Sequence, residues 1–387
     1  MRSYDVAVVG GGPAGLLAAR ELGESGFRVI VFEEDRTIGR PERCAGLYSL
    51  SGLKLLKLPA DGPYLQNRVM GATFTSPSGR EFTVSAGGDV AVVCNRERFD
   101  QFIAEEALAA GAQLRLGSHV RDAARMGDGF RLVVGGEEVY TRYLVVAEGR
   151  RAHIARRVNP NYSLGQWIPI IQFQVAGHGL DPDLVYLYFK EYLPDFFAYL
   201  VPVDEHVGKV GVAAMRDTWS LAYRFLSEHF PKSRVIGISS SSIYVGPPHG
   251  EPVWDRAFLV GDVAGQVKAT TGGGVVYGGL CGMAAAHHIA GRTAFWKLAG
   301  PALRELKRTY LLRRFVSKLS PRMVEILFQA VIESGLARRL GEVGDMEKHL
   351  PTLLHSTLHW RGLSLAANLL KAYMQAHLTD PLGRLKS

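Results

Sequence analysis

Residues able to do chemistry gather at a few places in the chain. Gly10, Gly12 and Gly15 form a G-x-G-x-x-G set, and Glu33 lies 18 residues past Gly15. Gly10 permits a tight turn, Gly12 lets the backbone approach a pyrophosphate, and Gly15 lets a helix pack close to a strand. Phosphate is favoured at a helix N-terminus, where free N–H groups and the dipole meet it. An acid at Glu33 can accept hydrogen bonds from a ribose and disfavours a 2′-phosphate, so FAD or NAD fits better than NADP. Cys44 sits in a Gly/Pro-rich loop between Arg43 and Ala45-Gly46. Neighbouring arginines favour a reactive thiolate; a small buried loop residue is the competing reading. Glu148-Gly149, followed by Arg150 and Arg151, is a second candidate nucleotide contact. Asp262 follows an apolar run and could bind a sugar hydroxyl. Thr271-Gly272-Gly273-Gly274-Val275 opens a helix and allows close backbone approach to a ligand.

The elements that must hold these residues follow from periodicity. Residues 5–9 and 28–32 are apolar runs flanking a helical stretch at 16–22, a complete βαβ context for the first glycines. Strands are predicted at 69–84, with a turn at Pro77-Ser78-Gly79, and at 90–94. A helix opens at 95 and runs to about 110. The β pattern continues at 113–120, 130–134 and 139–147. Residues 39–49 carry too much Gly, Pro and charge for a regular element. Strands at 168–176, 184–190 and 208–214, with few helices among them, point to a separate sheet-built lobe. Its aromatic and aliphatic content suits an apolar ligand, or an ordinary sheet core. A strand at 257–260 and a helix at 276–290 frame Asp262 and the three glycines. Helices are expected from 293 to the end.

The fold class expected is α/β, in a two-lobe α+β arrangement: a Rossmann-like nucleotide domain, an inserted β-sheet lobe and a helical C-terminal region. The nucleotide domain would take residues 1–70, 90–165 and 250–295. The lobe would take 70–90 and 165–250, and the helical region 296–387. At 387 residues, with 47% hydrophobic and 21% charged content, the chain has material for a large core. A net charge of +8 suits an anionic partner such as a nucleotide, a phospholipid head group or a membrane surface. Nucleic acid fits the charge, but no nucleic-acid module is visible. Asp5 interrupts any apolar leader, and no run reaches the length of a membrane span. The 3 cysteines, Cys44, Cys94 and Cys281, show neither C-x-x-C nor zinc spacing, as in a cytosolic protein without a disulfide framework. No metal site is expected. Cys94 ends an apolar strand and reads as structural. Residues 296–340 carry ten basic residues against three acids, with apolar residues at helical spacing. Such a stretch could lie on an anionic membrane; a solvated helix face is the commoner use of a charge run.

Several motifs together resemble, in order and spacing, the geranylgeranyl reductase family. They are the first glycine set, Glu33, Pro41-x-x-Cys44-Ala45-Gly46, Arg96-x-x-Phe99-Asp100, Glu148-Gly149, Gly261-Asp262 and Thr271-Gly272-Gly273-Gly274. These are flavoproteins of archaeal ether-lipid and plant isoprenoid synthesis, within the para-hydroxybenzoate hydroxylase fold group. The resemblance covers about residues 1–295. It implies that Ala14, Glu33, Cys44, Ala45, Arg96, Asp262, Gly274 and Val275 line FAD, with Gly46 and Val120 as further matches. It implies that Cys44 lies near the isoalloxazine, as a candidate for proton delivery or flavin tuning, and that the β-sheet lobe holds an isoprenoid chain. This chain has Glu148-Gly149 where the group usually has Asp-Gly. The family's Y-x-W-x-F-P motif becomes Phe197-Ala198-Tyr199-Leu200-Val201-Pro202, which makes Phe197 and Tyr199 the candidate substrate contacts.

The function so implied is FAD-dependent reduction of C=C bonds in geranylgeranyl or polyprenyl groups of isoprenoid ether lipids. Electrons would come from a ferredoxin-like protein or a reduced nicotinamide. The enzyme would be cytoplasmic, with peripheral membrane contact. A flavin monooxygenase or halogenase on the same fold is the rival enzyme; the missing W-x-W-x-I-P and the presence of Pro41-x-x-Cys44 weigh against it. A non-catalytic prenyl-binding carrier is the rival outside enzymes, and the intact nucleotide fingerprint weighs against that. Whether Cys44 pairs with Cys281 is left open by the sequence.

Overall fold

The strand that leads into the first glycine set lies inside an eight-stranded mixed sheet, between two parallel neighbours, in a computed structural model that describes residues 2–347. β1 (Arg2–Val9), α1 (Pro13–Glu24) and β2 (Val29–Phe32) form the expected βαβ unit, with Val9 beside Phe32. Proline at the start of α1 occupies a position whose N–H needs no helical partner. The Gly/Pro-rich stretch after β2, expected to lack regular structure, ends in β3 (Leu47–Ser49) and α2 (Leu50–Leu55). The Ser49 hydroxyl caps α2 by accepting the Gly52 N–H at 2.9 Å. β4 (Leu65–Val69), the hairpin β5 (Gly71–Thr75) and β6 (Glu81–Ser85), and β7 (Ala91–Cys94) follow. β7 sits between β3 and β4 in a three-stranded sheet. Asn95 caps α3 (Arg96–Ala109) by accepting the Arg98 N–H at 2.9 Å. The run expected as one strand from 113 to 120 is two: β8 (Gln113–Arg115) and β9 (Val120–Met126), separated by a turn in which Gly117 takes a positive φ. β9, β10 (Gly129–Val134) and β11 (Glu137–Val146) make an antiparallel meander, and β11 returns parallel to β1. α4 (His153–Val158) closes this half.

Next come β12 (Trp167–Ala176), β13 (Leu184–Tyr188), β14 (Ala198–Pro202), β15 (Val207–Ala213), α5 (Thr218–His229) and β16 (Arg234–Tyr244). They join β5 and β6 in a seven-stranded sheet of order β16-β12-β15-β14-β13-β5-β6. α5 covers one face, packing Ala222 and Phe225 against Phe173, Leu200 and Val210. The sequence reading assigned no element to α5 or β16. In β16 a glycine and four serines dilute the apolar alternation. β17 (Val253–Trp254) and β18 (Ala257–Leu259) bring the chain back to the first sheet, with β18 parallel to β11. The chain then runs through α6 (Val275–Ile289), α7 (Phe295–Val316), α8 (Pro321–Ser334) and α9 (Leu336–Val343). The helical expectation beyond residue 347 lies outside the described residues. Among the described residues no helix is long and apolar enough to cross a membrane.

Alternation in the central strands divides the core. Val6, Val8, Val29 and Val31 meet α1, α6 and α7 on one face, while Ala7, Val9, Ile30 and Phe32 meet the meander and α4 on the other. Strands covered on both faces are apolar throughout, which is why β2 is buried along its whole length.

Candidate active site

The first glycine loop is built for approach by something other than protein. Gly10 has φ +110°, and a Cβ there would lie 2.3 Å from the Ala147 carbonyl oxygen. Gly12 begins α1 with no side-chain cap, and a Cβ on Gly12 would meet nothing within 4 Å. Open space therefore stands in front of a helix N-terminus. Beside it, the Glu33 carboxylate accepts the N–H of Gly11 at 2.6 Å and of Asp35 at 2.9 Å. Burial holds the Glu33 carboxyl above its usual range, against the pull of those N–H groups.

The segment around the second glycine loop packs on the start of α1. A Cβ on Gly282 of α6 would lie 2.2 Å from the Ala14 carbonyl oxygen, one on Gly261 would lie 3.1 Å from Ala14 Cβ, and one on Gly274 would lie 3.0 Å from Asp262 Oδ1. Asp262 accepts no side-chain hydrogen bond from any described residue, and burial raises its carboxyl, opposed only by the charge of Arg96. A desolvated carboxylate without a donor is costly. An uncapped helix start facing open space, with two carboxylates able to take hydroxyl donors, matches the pyrophosphate and sugar of a dinucleotide such as FAD. Glu148 is a correction to the sequence reading. Its carboxylate accepts the N–H groups of His153, Ile154 and Ala155 at 2.9, 3.0 and 2.7 Å. It is taken up by the N-terminus of α4, whose orphan donors need it. Val120 spends its side chain in the sheet core, so only its backbone is left for a ligand.

The loop bearing Cys44 is clamped to the seven-stranded sheet. The Gln172 side-chain amide donates to the Cys44 carbonyl oxygen at 3.5 Å, and the Tyr199 hydroxyl donates to Gln172 Oε1 at 2.8 Å. Lys209 Nζ donates to Glu42 Oε1 at 2.6 Å, and that oxygen also accepts the Arg96 N–H at 3.1 Å. Arg96 in turn forks onto Asp100, with Nε and Nη2 at 3.0 and 2.8 Å from the two carboxylate oxygens. The clamp depends on register. Gln172 and Tyr199 both pair with Gly211, from the strands on either side of it. A Cβ on Gly211 would lie 2.1 Å from Tyr199 Cζ, so the ring occupies the space a side chain would need. Cys44 is half-buried and free, and the Gly46 N–H points to its Sγ at 3.4 Å.

The structure thus brings Cys44, Ala45, Gly46 and Arg96 to one seam, and Gly10, Gly12, Ala14, Gly15, Glu33, Asp262, Gly274 and Val275 to a second cluster around the start of α1, the candidate nucleotide cradle. Phe197 stacks on Phe196 with ring centres 4.4 Å apart. It packs, with Tyr199, against an apolar cluster containing Ile168, Ile170 and Val245. Burial pushes the Tyr199 hydroxyl pKa well up, so it stays protonated. Cys94 and Cys281 are buried and free, so no Cys44–Cys281 bond is present, and burial raises the Cys94 thiol to about 12. Sequence reasoning missed Glu42, Gln172 and Lys209. For Gln172 and Lys209 the signal was polarity inside apolar strands, within IIQFQ and VGKVGVA; Glu42 lies in an irregular loop and carried none. It also missed Glu347, which pairs with Lys268 of the second glycine loop at 3.1 Å and accepts the Ser49 hydroxyl at 2.7 Å.

Comparisons with known proteins agree with this geometry. Residues 3–177 match the FAD binding domain family. A digeranylgeranylglycerophospholipid reductase of Methanosphaera stadtmanae is 31% identical over 74% of this chain and 74% of its own length. One from Methanopyrus kandleri is 31% identical over 75% of this chain and 80% of its own. Among solved structures, a geranylgeranyl bacteriochlorophyll reductase-like protein from Thermoplasma acidophilum superposes with TM-score 0.83 at 22% identity, covering 96% of this chain and all (100%) of that one. The p-nitrophenol 4-monooxygenase of Pseudomonas putida shares the fold at TM-score 0.67 and 16% identity, over 96% of this chain and 98% of its own. The chain belongs to the geranylgeranyl reductase family, as an FAD-dependent oxidoreductase.

Proposed function

We propose that the protein saturates isolated C=C bonds of geranylgeranyl or longer polyprenyl groups, carried on an isoprenoid ether lipid. The observation that carries this reading is the clamp between the Cys44 loop and the seven-stranded sheet. It fixes a thiol-bearing backbone at the seam between the nucleotide cradle and an apolar face. The names of the relatives supply the substrate class. When bound, FAD supplies hydride chemistry in its reduced form.

In this reading Gly10, Gly12, Ala14 and Gly15 admit the pyrophosphate, and Glu33 and Asp262 accept from sugar hydroxyls. Val120 contributes its backbone on the adenosine side. Cys44, Ala45, Gly46, Arg96, Gly274 and Val275 border the flavin. Phe197 and Tyr199 hold the isoprenoid chain. An isolated alkene is not polarised, so the protein acts chiefly by orientation and water exclusion. Cys44 Sγ is the candidate for delivering the proton to the second alkene carbon. Arg96 is kept rigid by Asp100 and so holds the shape of the seam. Electrons come from a ferredoxin-like protein or a reduced nicotinamide.

The test is direct. The purified protein is expected to be yellow, to bleach with dithionite and to reoxidise without oxygen when a polyprenyl lipid is added, leaving a product two hydrogens heavier per bond. Reoxidation by oxygen alone, with hydroxylation of a phenol, would move the assignment to the monooxygenases that share the fold.

A further inference from the structure

We infer that the exposed face of α7 docks on an anionic lipid bilayer, beside the rim of the substrate sheet. The inference rests on the reading of the substrate as a lipid, and extends it to where the protein meets that lipid.

α7 turns Ala299, Ala302, Leu303, Leu306 and Thr309 inward. Its one acid, Glu305, is also buried, held by Arg308 at 3.2 Å. Outward it shows Trp296, Leu311 and Phe315, which are 52%, 60% and 63% exposed. Arg304, Lys307, Arg314 and, just past the helix, Lys318 stand among them. At about 100° per residue, the outward residues from Trp296 to Phe315 fall within roughly a third of the circumference. None of these four cations pairs with a carboxylate among the described residues. The face therefore carries cations without counter-charge and large apolar side chains within one sector.

Both halves of that description fit the bilayer interface. Anionic head groups attract the Lys and Arg side chains. Trp, Leu and Phe gain by entering the head-group and acyl boundary, whereas a phosphate backbone in water offers nothing to Leu311. The position fits too. Arg313 of α7 donates to the Asp195 carbonyl oxygen, and its guanidinium lies 5.1 Å over the Phe196 ring. Phe328 of α8 packs on Phe82 and Phe189 at 5.1 and 5.7 Å. The far end of α7 thus adjoins the Phe196–Phe197 rim, where a polyprenyl chain would leave the membrane.

The experiment uses the full chain loaded with flavin, and vesicles of phosphatidylcholine alone or mixed with phosphatidylglycerol. Partition onto anionic vesicles is expected to exceed that onto neutral ones by roughly tenfold or more. It should fall steeply between about 0.1 M and 1 M salt, as the screening length drops from about 10 Å to about 3 Å. K307E/R314E and L311S/F315S should each lose most of the binding. Both should keep their circular dichroism and their turnover of a short, detergent-dispersed prenyl substrate with dithionite, and lose turnover of lipid in anionic vesicles. Equal partition onto both vesicle types, or variants that bind like the parent, would overturn the inference. So would tighter binding to a duplex RNA that L311S/F315S leaves unchanged. Vesicle binding without prenyl turnover in the parent would instead sink the substrate reading and leave the docking face standing.

Discussion

Lys209 and Glu42 are 167 residues apart in sequence and 2.6 Å apart in space. The lysine is 2% exposed, on a strand of the seven-stranded sheet. The glutamate precedes the candidate catalytic thiol by two positions. Removing the lysine's charge leaves Glu42 without its ion-pair partner, at a cost of about 1–3 kcal/mol. It also frees the loop. Lys209→Met is expected to keep flavin but lose roughly tenfold in turnover, since small misplacements of reacting groups are costly. Lys209→Arg should recover much of it. Flavin absorbance and the alkylation rate of Cys44 check this; a Met variant with unchanged alkylation and turnover would show that the pair only stabilises.

The two first-loop glycines should behave differently. Gly12→Val places its side chain in open space, so the apo fold should lose about 1 kcal/mol or less. Flavin retention should nevertheless vanish, because the branch stands where the pyrophosphate approaches. Gly10→Ala drives a Cβ to 2.3 Å from a carbonyl oxygen at a positive φ, and should cost about 3 kcal/mol or more. Thermal melts with and without added FAD separate the two. A fully yellow Gly12→Val protein would remove the assignment.

Asp262 links stability to function with opposite signs. Burial raises its folded-state pKa above the ordinary 3.8. A raised value means that its contribution to apo stability is greatest below that ordinary pKa and is lost as pH rises through the folded one. Above that folded-state pKa the apo protein carries an unrelieved carboxylate. Asp262→Asn should stabilise the apo protein by about 1 kcal/mol at pH 7, flatten that part of its pH–stability curve, and weaken flavin retention. A variant less stable than the parent in apo form would refute the account.

The thiols also divide. Cys44→Ser should reduce turnover more than flavin content, because the side chain borders the seam without holding the fold. Cys94→Ser puts a hydroxyl into a fully buried site and should cost about 1–3 kcal/mol in stability with little change in turnover per bound flavin. Normal turnover in Cys44→Ser would leave that thiol as packing.

The nucleotide half of the molecule was legible because its chemistry is local. Gly10, Gly12, Gly15 and Glu33 lie within a single βαβ unit, so spacing alone carries their meaning. The Cys44 loop was legible only as a motif. What fixes it comes from Gln172, Tyr199 and Lys209, lone polar residues whose register across three strands no periodicity announces. Glu148 misled for the opposite reason: an acid-glycine pair after a strand resembles a nucleotide contact, yet an adjacent short helix took the carboxylate. β16 escaped because Gly237 and the serines at 239–242 blur the alternation that marks a strand.

The space left by Gly211 makes two positions interchangeable in volume. Tyr199 rests where a residue 211 side chain would be, so bulk can be moved between them while the sheet between keeps its total. Under the proposed role of Tyr199 as a substrate contact, the natural library for substrate length is the pair, with small residues at 199 matched to Ala or Ser at 211. Single substitutions at either site would confound reach with collapse.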